Sequence, residues 1–213
     1  MLVAAEPENY PSEDEAALKC RTTYFAKWAQ LQKIKGSSCT ATRFVANGNG
    51  TVTDNLTGLQ WEQKDNLDGM VNLADPHDAD NLYVWSATNR AASGYAADGP
   101  AFTDFLASLN SECFAGQCDW RLPTIAELQT ILNPSTITNE PFLQGHCISP
   151  NSDGACIDAI FGPTVPSAYW CSTSIAGFEG GAWDVGFDSG RVTDGLGKSD
   201  AVPTRAVRGG LGL

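Results

Sequence analysis

The sequence predicts an α+β fold, with a main domain over residues 41–213 preceded by a tail and helix over residues 1–40. Three observations lead to this prediction. Apolar residues follow a helical period between residues 13 and 35, strand-like alternation between Gly-rich turns occurs twice further along, and a short helix with a clear start lies between those stretches. Strands and helices in separate stretches are typical of α+β domains. With 213 residues, 42% of them hydrophobic, the chain can bury a substantial core.

The first element is a helix predicted from residue 13 to about residue 35. Leu18, Phe25 and Leu31 lie on one face at a period near 3.6, and Gly36 stops the pattern. We expect this N-terminal helix to pack on the main domain.

Two turn-linked strands are predicted next, in "TRFVANGNGTVTDNLTGLQWEQK" (42–64). The segments NGNG and DNLTG have the residues of tight turns, and apolar residues such as Val52 and Trp61 lie beside them. An acidic loop, "DNLDGMVNLADPHDADN" (65–81), follows. Further helices are predicted over residues 85–90 and 102–110, the second because Phe105 and Leu109 share a face.

The segment "CDWRLPTIAELQTILNP" (118–134) predicts a short helix with a defined start. Thr124 and Glu127 have the spacing of a capping box, in which each side chain accepts a backbone N–H of the other residue. Asn133 and Pro134 end the pattern. Arg121 lies between core residues, so we expect it to bind backbone carbonyls or Asp119, and we expect Trp120 to be buried.

The last third predicts a β-hairpin and a closing strand. Trp183, Val185 and Phe187 alternate with small or polar residues, DSG forms a turn, and residues 204–210 alternate again. If one face of this hairpin is buried, the large residues point inward and the residues between them point outward.

Charge excludes several classes of partner. The net charge is −12 and the pI is near 4.4, which disfavours nucleic acids, sulfated glycans and anionic lipid surfaces. No apolar run of membrane-spanning length occurs, so we expect no direct membrane insertion.

Seven cysteines, with no paired CxxC motifs, favour disulfides over zinc. Local spacing favours three pairs, and the seventh residue, Cys171, is expected to be a small buried hydrophobe rather than a reactive thiol. An oxidising compartment implies export to the cell surface or the extracellular space. Residues 1–15 lack a basic region and a long apolar region, so we expect that a leader has been removed. The predicted pairs are Cys20–Cys39, Cys113–Cys118 and Cys147–Cys156.

Catalytic and metal-binding signatures are sparse. The two histidines, His77 and His146, lie in loop-like contexts, and no nucleophile, zinc-protease or phosphate-loop motif occurs. We therefore expect no enzyme activity and no cofactor. Calcium stays an alternative for the acidic loop, although its spacing does not match an EF-hand and a solvated loop is the simpler interpretation. The oxygen-bearing residues are Asp65, Asn66, Asp68, Asp75, Asp78, Asp80 and Asn81.

Three ordered motifs resemble a known family. "TVTDNLTGLQWEQK", "CDWRLPTIAELQTILN" and "YWCSTS…AWDVGFDSGRV…RAVRGG" resemble the bacterial C-type-lectin-like domain named after the C-terminal domain of the collagen-like adhesin Lcl. The resemblance covers residues 42–210. It implies a C-type-lectin-like fold, a cell-surface or extracellular setting, and adhesion rather than catalysis. Cys171 stands where the pattern usually has Ser, and Thr204 where an apolar residue is usual.

The C-terminal segment also resembles the variable proteins of diversity-generating retroelements. These keep a frame such as "YW-x-ST", "AW-x-V-x-F-x-x-G-x-V" and "RAVRGG" while the residues between the frame positions vary. The resemblance implies a ligand-binding face at about residues 169–204. Its candidate residues are Tyr169, Ser174, Ile175, Gly177, Phe178, Glu179, Asp184, Gly186, Asp188, Ser189, Arg191, Thr193, Asp194 and Leu196.

The favoured hypothesis is therefore a non-catalytic surface protein that binds a protein or glycan ligand on another cell or surface through a diversified face. One alternative is an adhesin of fixed specificity or a structural surface subunit. Another is an enzyme of the formylglycine-generating type, whose fold is related but whose catalytic cysteine pair has no counterpart here. The oligomeric state stays open.

Overall fold

The computed structural model describes residues 42–87, 95–133 and 150–210, which form a sheet-rich mixed fold. These residues belong to one compact unit of the chain, residues 38–213. A helix over Ala101–Leu106 with π-type hydrogen bonding continues into helix α1 (Ala107–Ser111), helix α2 covers Ile125–Gln129, and 3₁₀ turns cover Phe114–Gly116 and Ala159–Phe161. The strands are β1 (Phe44–Ala46), β2 (Thr51–Asp54), β3 (Leu59–Glu62), β4 (Tyr83–Val84), β5 (Ala168–Ile175), β6 (Phe178–Gly186), β7 (Val192–Gly197), β8 (Ala201–Val202) and β9 (Val207–Gly209).

The first sheet has four antiparallel strands in the order β1-β2-β3-β9. Its two turns are those predicted from the sequence, and Gly48, Gly50 and Gly58 adopt the positive φ values that favour glycine there. The last strand comes from the predicted closing segment, and Val207 pairs with Trp61. This sheet therefore joins strands from residues 44–62 to a strand at residues 207–209.

The second sheet has three antiparallel strands in the order β5-β6-β7. The β6–β7 pair is the predicted hairpin, with Asp184 opposite Thr193 and Val185 opposite Val192. The register between β5 and β6 shifts between Trp170 and Ser174. Separately, β4 pairs with β8, which connects the middle of the chain to the segment after the hairpin.

Two hydrophobic clusters cover opposite faces of the β5–β6 pair. Tyr169 and Val185 belong to the first cluster, whereas Trp170 and Ala182 belong to the second cluster. Because successive residues of a strand point to opposite faces, this division means that both faces are buried. Two indole hydrogen bonds join the second cluster to strand β5. Trp170 Nε1 donates to the carbonyl of Tyr83 (2.9 Å), and Trp85 Nε1 donates to the carbonyl of Cys171 (3.0 Å).

The predicted capping box starts helix α2. The backbone N–H of Glu127 donates to the Thr124 hydroxyl (3.2 Å), and the backbone N–H of Thr124 donates to the Glu127 carboxylate (2.8 Å). The prediction for Arg121 is confirmed in part: its guanidinium donates to the backbone carbonyls of Leu122 and Gly209, both at 3.4 Å. Its shortest hydrogen bonds, which the sequence did not predict, go to both oxygens of Glu127, at 2.6 and 2.7 Å. Asp119 instead pairs with Arg208, at 2.6 Å.

A buried charged network links β3 of the first sheet to the segment that precedes β9. The carboxylate of Glu62 lies 2.9 Å from Lys64 Nζ and 3.0 Å from His77 Nδ1, and it accepts the backbone N–H of Ala206. Arg205 is fully buried and donates to the carbonyl of Glu62 (2.9 Å). Although burial raises the pKa of Glu62, the ammonium of Lys64, the hydrogen bond with His77 and the guanidinium of Arg205 hold this pKa below its usual value. The network therefore keeps the carboxylate charged inside the domain.

Other sequence predictions have mixed outcomes. The helix over residues 102–110 is confirmed within the helical segment 101–111, but Trp85–Ala87 is not helical because it follows directly from β4. The predicted N-terminal helix lies outside the described residues, as does the rest of the helix predicted to reach residue 90. In the described parts of the chain, no helix is long and apolar enough to cross a membrane.

The structure contains one of the predicted disulfides between described residues. Cys113 and Cys118 are bonded, and Cys171 is a buried free cysteine. Cys156 is also disulfide-bonded. Cys20, Cys39 and Cys147 lie outside them too, so the pairs Cys20–Cys39 and Cys147–Cys156 stay predictions.

Candidate ligand-binding face

The turn between β5 and β6 displays the largest exposed side chain of the predicted face. Phe178 is 57% exposed, and Ser174, Gly177 and Glu179 beside it are exposed. Gly177 has a φ of +78° and open space where a side chain would project. We call residues 174 and 176–179 the hairpin tip. An exposed aromatic ring beside small polar groups is a composition common in protein-binding sites.

The turn between β6 and β7 forms a second exposed group. Asp188 and Arg191 are exposed, and Ser189 is half-buried. The turn is closed by backbone hydrogen bonds, in which Gly186 N–H donates to the Arg191 carbonyl (2.8 Å) and Gly190 N–H donates to the Gly186 carbonyl (2.7 Å). This turn therefore has a fixed backbone that carries polar side chains.

The two exposed groups lie at opposite ends of β6. From Phe178 to Gly186 the strand advances by roughly 25 Å, at about 3.3 Å per residue. Strand β7 runs back along the sheet between them and carries Thr193, Asp194 and Leu196, of which Asp194 is exposed and the other two are half-buried. The structure therefore divides the predicted residues between two ends joined by β7.

Four predicted ligand-contact residues are buried, and the outward orientation expected for Asp184 and Gly186 in the hairpin is wrong. Tyr169, Ile175, Asp184 and Gly186 lie in the interior. Alternation places Asp184 in solvent only if its face of the sheet is solvated, but the cluster that contains Trp170, its cross-strand partner, covers that face. Tyr169 and Ile175 belong to the other cluster. In contrast, Asp188 and Arg191 are exposed as predicted, and Trp183 and Phe187 are buried as predicted.

Asp184 is the unusual member of this set because it is a buried carboxyl, 2% exposed. Both carboxylate oxygens lie 2.9 Å from the hydroxyl of Thr193. Burial, together with the carboxylates of Asp194 and Asp188, raises the pKa of Asp184 to about 6, although the Thr193 hydrogen bond acts in the opposite direction. This side chain supports the inside of the sheet and does not face a ligand.

The sequence prediction missed exposed residues that adjoin the selected ones. Ala176 is exposed within the hairpin tip, and Gly195, Ser199 and Asp200 are exposed along and after β7. Their positions in turns next to the predicted residues were the signal that could have included them. With Glu179, Asp188 and Asp194, these residues make the surface acidic overall.

Metal and nucleophile chemistry find no support in the described residues. Among residues 42–87, 95–133 and 150–210, no group of three or more His, Cys, Asp or Glu side chains could hold a metal ion. The thiol of Cys171 lies 2.8 Å from the carbonyl of Trp183, and burial raises the pKa of this thiol to about 12. His77 contacts Glu62, and His146 lies outside the described residues.

Comparison with known proteins identifies one family. The sequence pattern of the family described as the Lcl C-terminal domain matches residues 50–208, which include both sheets except for β1 and the end of β9. Among curated proteins and among solved structures, nothing matches the chain.

Proposed function

Because the chain belongs to the Lcl C-terminal domain family, we propose that it is an exported, adhesin-like surface protein that binds its ligand without catalysis. The ligand is a protein or a glycan on another cell or surface. The hairpin tip and the exposed side of β7 form the contact. Family membership supports the adhesin-like surface role, and the exposed side chains support the location.

The finer part of the proposal is that this face is diversified by a retroelement. One observation carries it: the large frame residues are buried, whereas most residues between them are exposed or half-buried. Trp170, Trp183 and Phe187 hold the backbone from inside, and Phe178 and Glu179 project outward. Surface substitutions usually change stability by less than about 0.5 kcal/mol, so such a face can vary without loss of the fold.

Burial reduces the number of candidate ligand-contact positions that can vary without loss of the fold. Substitution of Asp184 or Ile175 would alter packing between the clusters, so diversification with retained folding is expected to spare or restrict them. The positions left for variation are Ser174, Gly177, Phe178, Glu179, Asp188, Ser189, Arg191, Thr193, Asp194 and Leu196.

The genome provides the test. A diversified face requires a reverse-transcriptase gene nearby and a near-copy of the region that encodes residues 169–210, with mismatches confined to adenines and concentrated at the codons of the exposed positions. A near-copy whose mismatches fall equally on codons of buried frame residues would contradict the assignment of the face.

An adhesin of fixed specificity is the second candidate, and family membership alone favours it. It predicts the same surface location and the same fold but no near-copy of the coding region. Strains of one species would then carry identical residues at the hairpin tip. Sequencing this region in several strains separates the two candidates.

A further inference from the structure

A second surface lies on the loop between β3 and β4, on a segment separate from the β5–β7 sheet. Four of the six large hydrophobic side chains that are exposed in the described residues lie here: Met70 (68%), Val71 (57%), Leu73 (65%) and Leu82 (45%). Single exposed hydrophobic residues are ordinary, but a group of them marks a site of interaction. We call these four residues the apolar loop surface.

Hydrogen bonds fix the backbone that carries this surface. The Asp80 carboxylate accepts the backbone N–H groups of Asp68 (2.9 Å) and Gly69 (2.7 Å). The Asn81 side chain accepts the N–H of Asn72 and donates to its carbonyl, both at 3.0 Å. These two bonds tie the segment that carries Val71 and Leu73 to Asn81, the residue before Leu82. A preorganised surface loses little conformational entropy when a partner binds.

The charge around the apolar loop surface is negative. Asp65 and Asp68 are exposed and Asp75 is half-buried, whereas the nearby Lys64 is buried and paired with Glu62. The apolar side chains would therefore meet a partner while carboxylates face its edges. Like charges oppose the pairing of this surface with a second copy of itself, and the carboxylates oppose anionic lipid.

We propose that the apolar loop surface docks a cationic amphipathic helix of another protein. Its apolar stripe covers Met70, Val71 and Leu73, and flanking Lys or Arg residues face Asp65 and Asp68. Apolar burial supplies affinity, and the charge pairs set orientation and association rate.

The probe is a fluorescent amphipathic peptide of about 18 residues that contains only leucine and lysine, titrated with the full chain at low and high salt. We expect the triple variant Met70→Ser/Val71→Ser/Leu73→Ser to bind about tenfold more weakly, because the apolar contact is lost. The matched control is Val45→Ser, which removes an exposed apolar group elsewhere and should stay within about twofold of the parent. Asp65→Asn/Asp68→Asn should weaken binding and reduce its dependence on salt.

Equal affinity of the triple variant and the parent would overturn the proposal, since the peptide would then sense only net charge. Binding to phosphatidylcholine vesicles that the triple variant loses would assign the surface to a membrane instead. Self-association in sedimentation that the triple variant loses would assign it to a second copy. If the triple variant does not fold, Met70→Ser alone is tested: about threefold weaker binding supports the proposal, and unchanged affinity overturns it.

Discussion

The hydroxyl of Thr193 on β7 lies 2.9 Å from both carboxylate oxygens of its cross-strand partner Asp184 on β6. Burial, together with the carboxylates of Asp194 and Asp188, raises the pKa of Asp184 to about 6, while the Thr193 hydrogen bond acts in the opposite direction. The Thr193 hydroxyl therefore stabilises a charge that the surroundings otherwise disfavour.

This pair predicts a pH dependence of stability. Because the folded-state pKa of about 6 exceeds the ordinary value of 3.8, the stabilisation from protonated Asp184 is full below about pH 4 and is lost as pH rises through 6. Asp184→Asn keeps an acceptor for Thr193, so we expect it to raise the free energy of unfolding at pH 7.5 by about 2–3 kcal/mol. Urea unfolding between pH 4 and 8 measures this. The exposed Glu112→Gln serves as the control, because Glu112 is not among the groups that shift the pKa of Asp184. A parent-like slope in Asp184→Asn would contradict the assignment.

Two phenylalanines test the division between the buried frame and the exposed face. Phe187 is fully buried beside Tyr169, with ring centroids 4.9 Å apart, whereas Phe178 is 57% exposed. We expect Phe187→Ala to lower the free energy of unfolding by about 3–5 kcal/mol, because it leaves a cavity. The same change at Phe178 should cost less than about 0.5 kcal/mol. Chemical denaturation of both variants gives the comparison, and similar losses would argue against the division.

The ion pair between Glu62 and Lys64 predicts a strong coupling. Glu62→Gln leaves the buried ammonium of Lys64 without its charge partner, and we expect a loss of about 3–5 kcal/mol in the free energy of unfolding. The double variant Glu62→Gln/Lys64→Met should recover part of this loss. An additive double-variant cycle would show that the pair is not coupled.

Acid should weaken the same network. Because the folded-state pKa of Glu62 lies below the ordinary value of 4.5, its stabilisation is present above about pH 4.5 and is lost as pH falls through the folded-state pKa. The parent chain should therefore lose stability towards low pH more steeply than Glu62→Gln. The exposed pair Asp119–Arg208 offers a control, since Asp119→Asn should cost less than about 1 kcal/mol.

Gly162 and Gly177 have nearly the same backbone conformation but different space for a side chain, so together they test the effect of steric contact. Their φ values are +80° and +78°, but a Cβ on Gly162 would lie 1.9 Å from the carbonyl oxygen of Lys64, whereas a Cβ on Gly177 meets nothing within 4 Å. We expect Gly177→Ala to cost about 1 kcal/mol from the left-handed conformation alone. Gly162→Ala should cost at least about 2 kcal/mol more. Thermal and urea unfolding measure the difference, and equal costs would contradict the close approach.

Burial of Cys171 predicts an unreactive thiol. With its pKa raised to about 12 and its side chain inside the first cluster, Cys171 should resist maleimide labelling in the folded protein and react after unfolding. Comparison of the parent with Cys171→Ala isolates this thiol from the other cysteines. Rapid labelling of native Cys171 would revive the enzyme hypothesis, which needs an accessible cysteine.

The sequence predicted correctly the elements whose structure depends on residues close together in the chain. The turns around Gly48 and Gly58, the capping box of Thr124, and the β6–β7 hairpin each depend on residues a few positions apart. The helix at residues 102–110 was predicted for the same reason, because its apolar period lies within the helix itself.

The incorrect predictions involve partners that are distant in sequence. The direction of Asp184 depends on the layer that contains Tyr83 and Trp85, and the bond from Trp170 to Tyr83 spans 87 positions. Arg208 reaches Asp119 over 89 positions and leaves Arg121 to bind Glu127. Alternation reports which residues share a face of a strand, but it does not report whether a second layer covers that face.

The position of Arg205 and β9 has a consequence for synthesis. Strand β3 keeps an open edge until residues 207–209 arrive, and the carboxylate of Glu62 waits for an N–H donor that lies 144 positions downstream. Contacts this distant slow folding, so the first sheet cannot close while the ribosome is still producing the middle of the chain. The pairing of β3 with β9 therefore comes late in the order in which the strands of this sheet form.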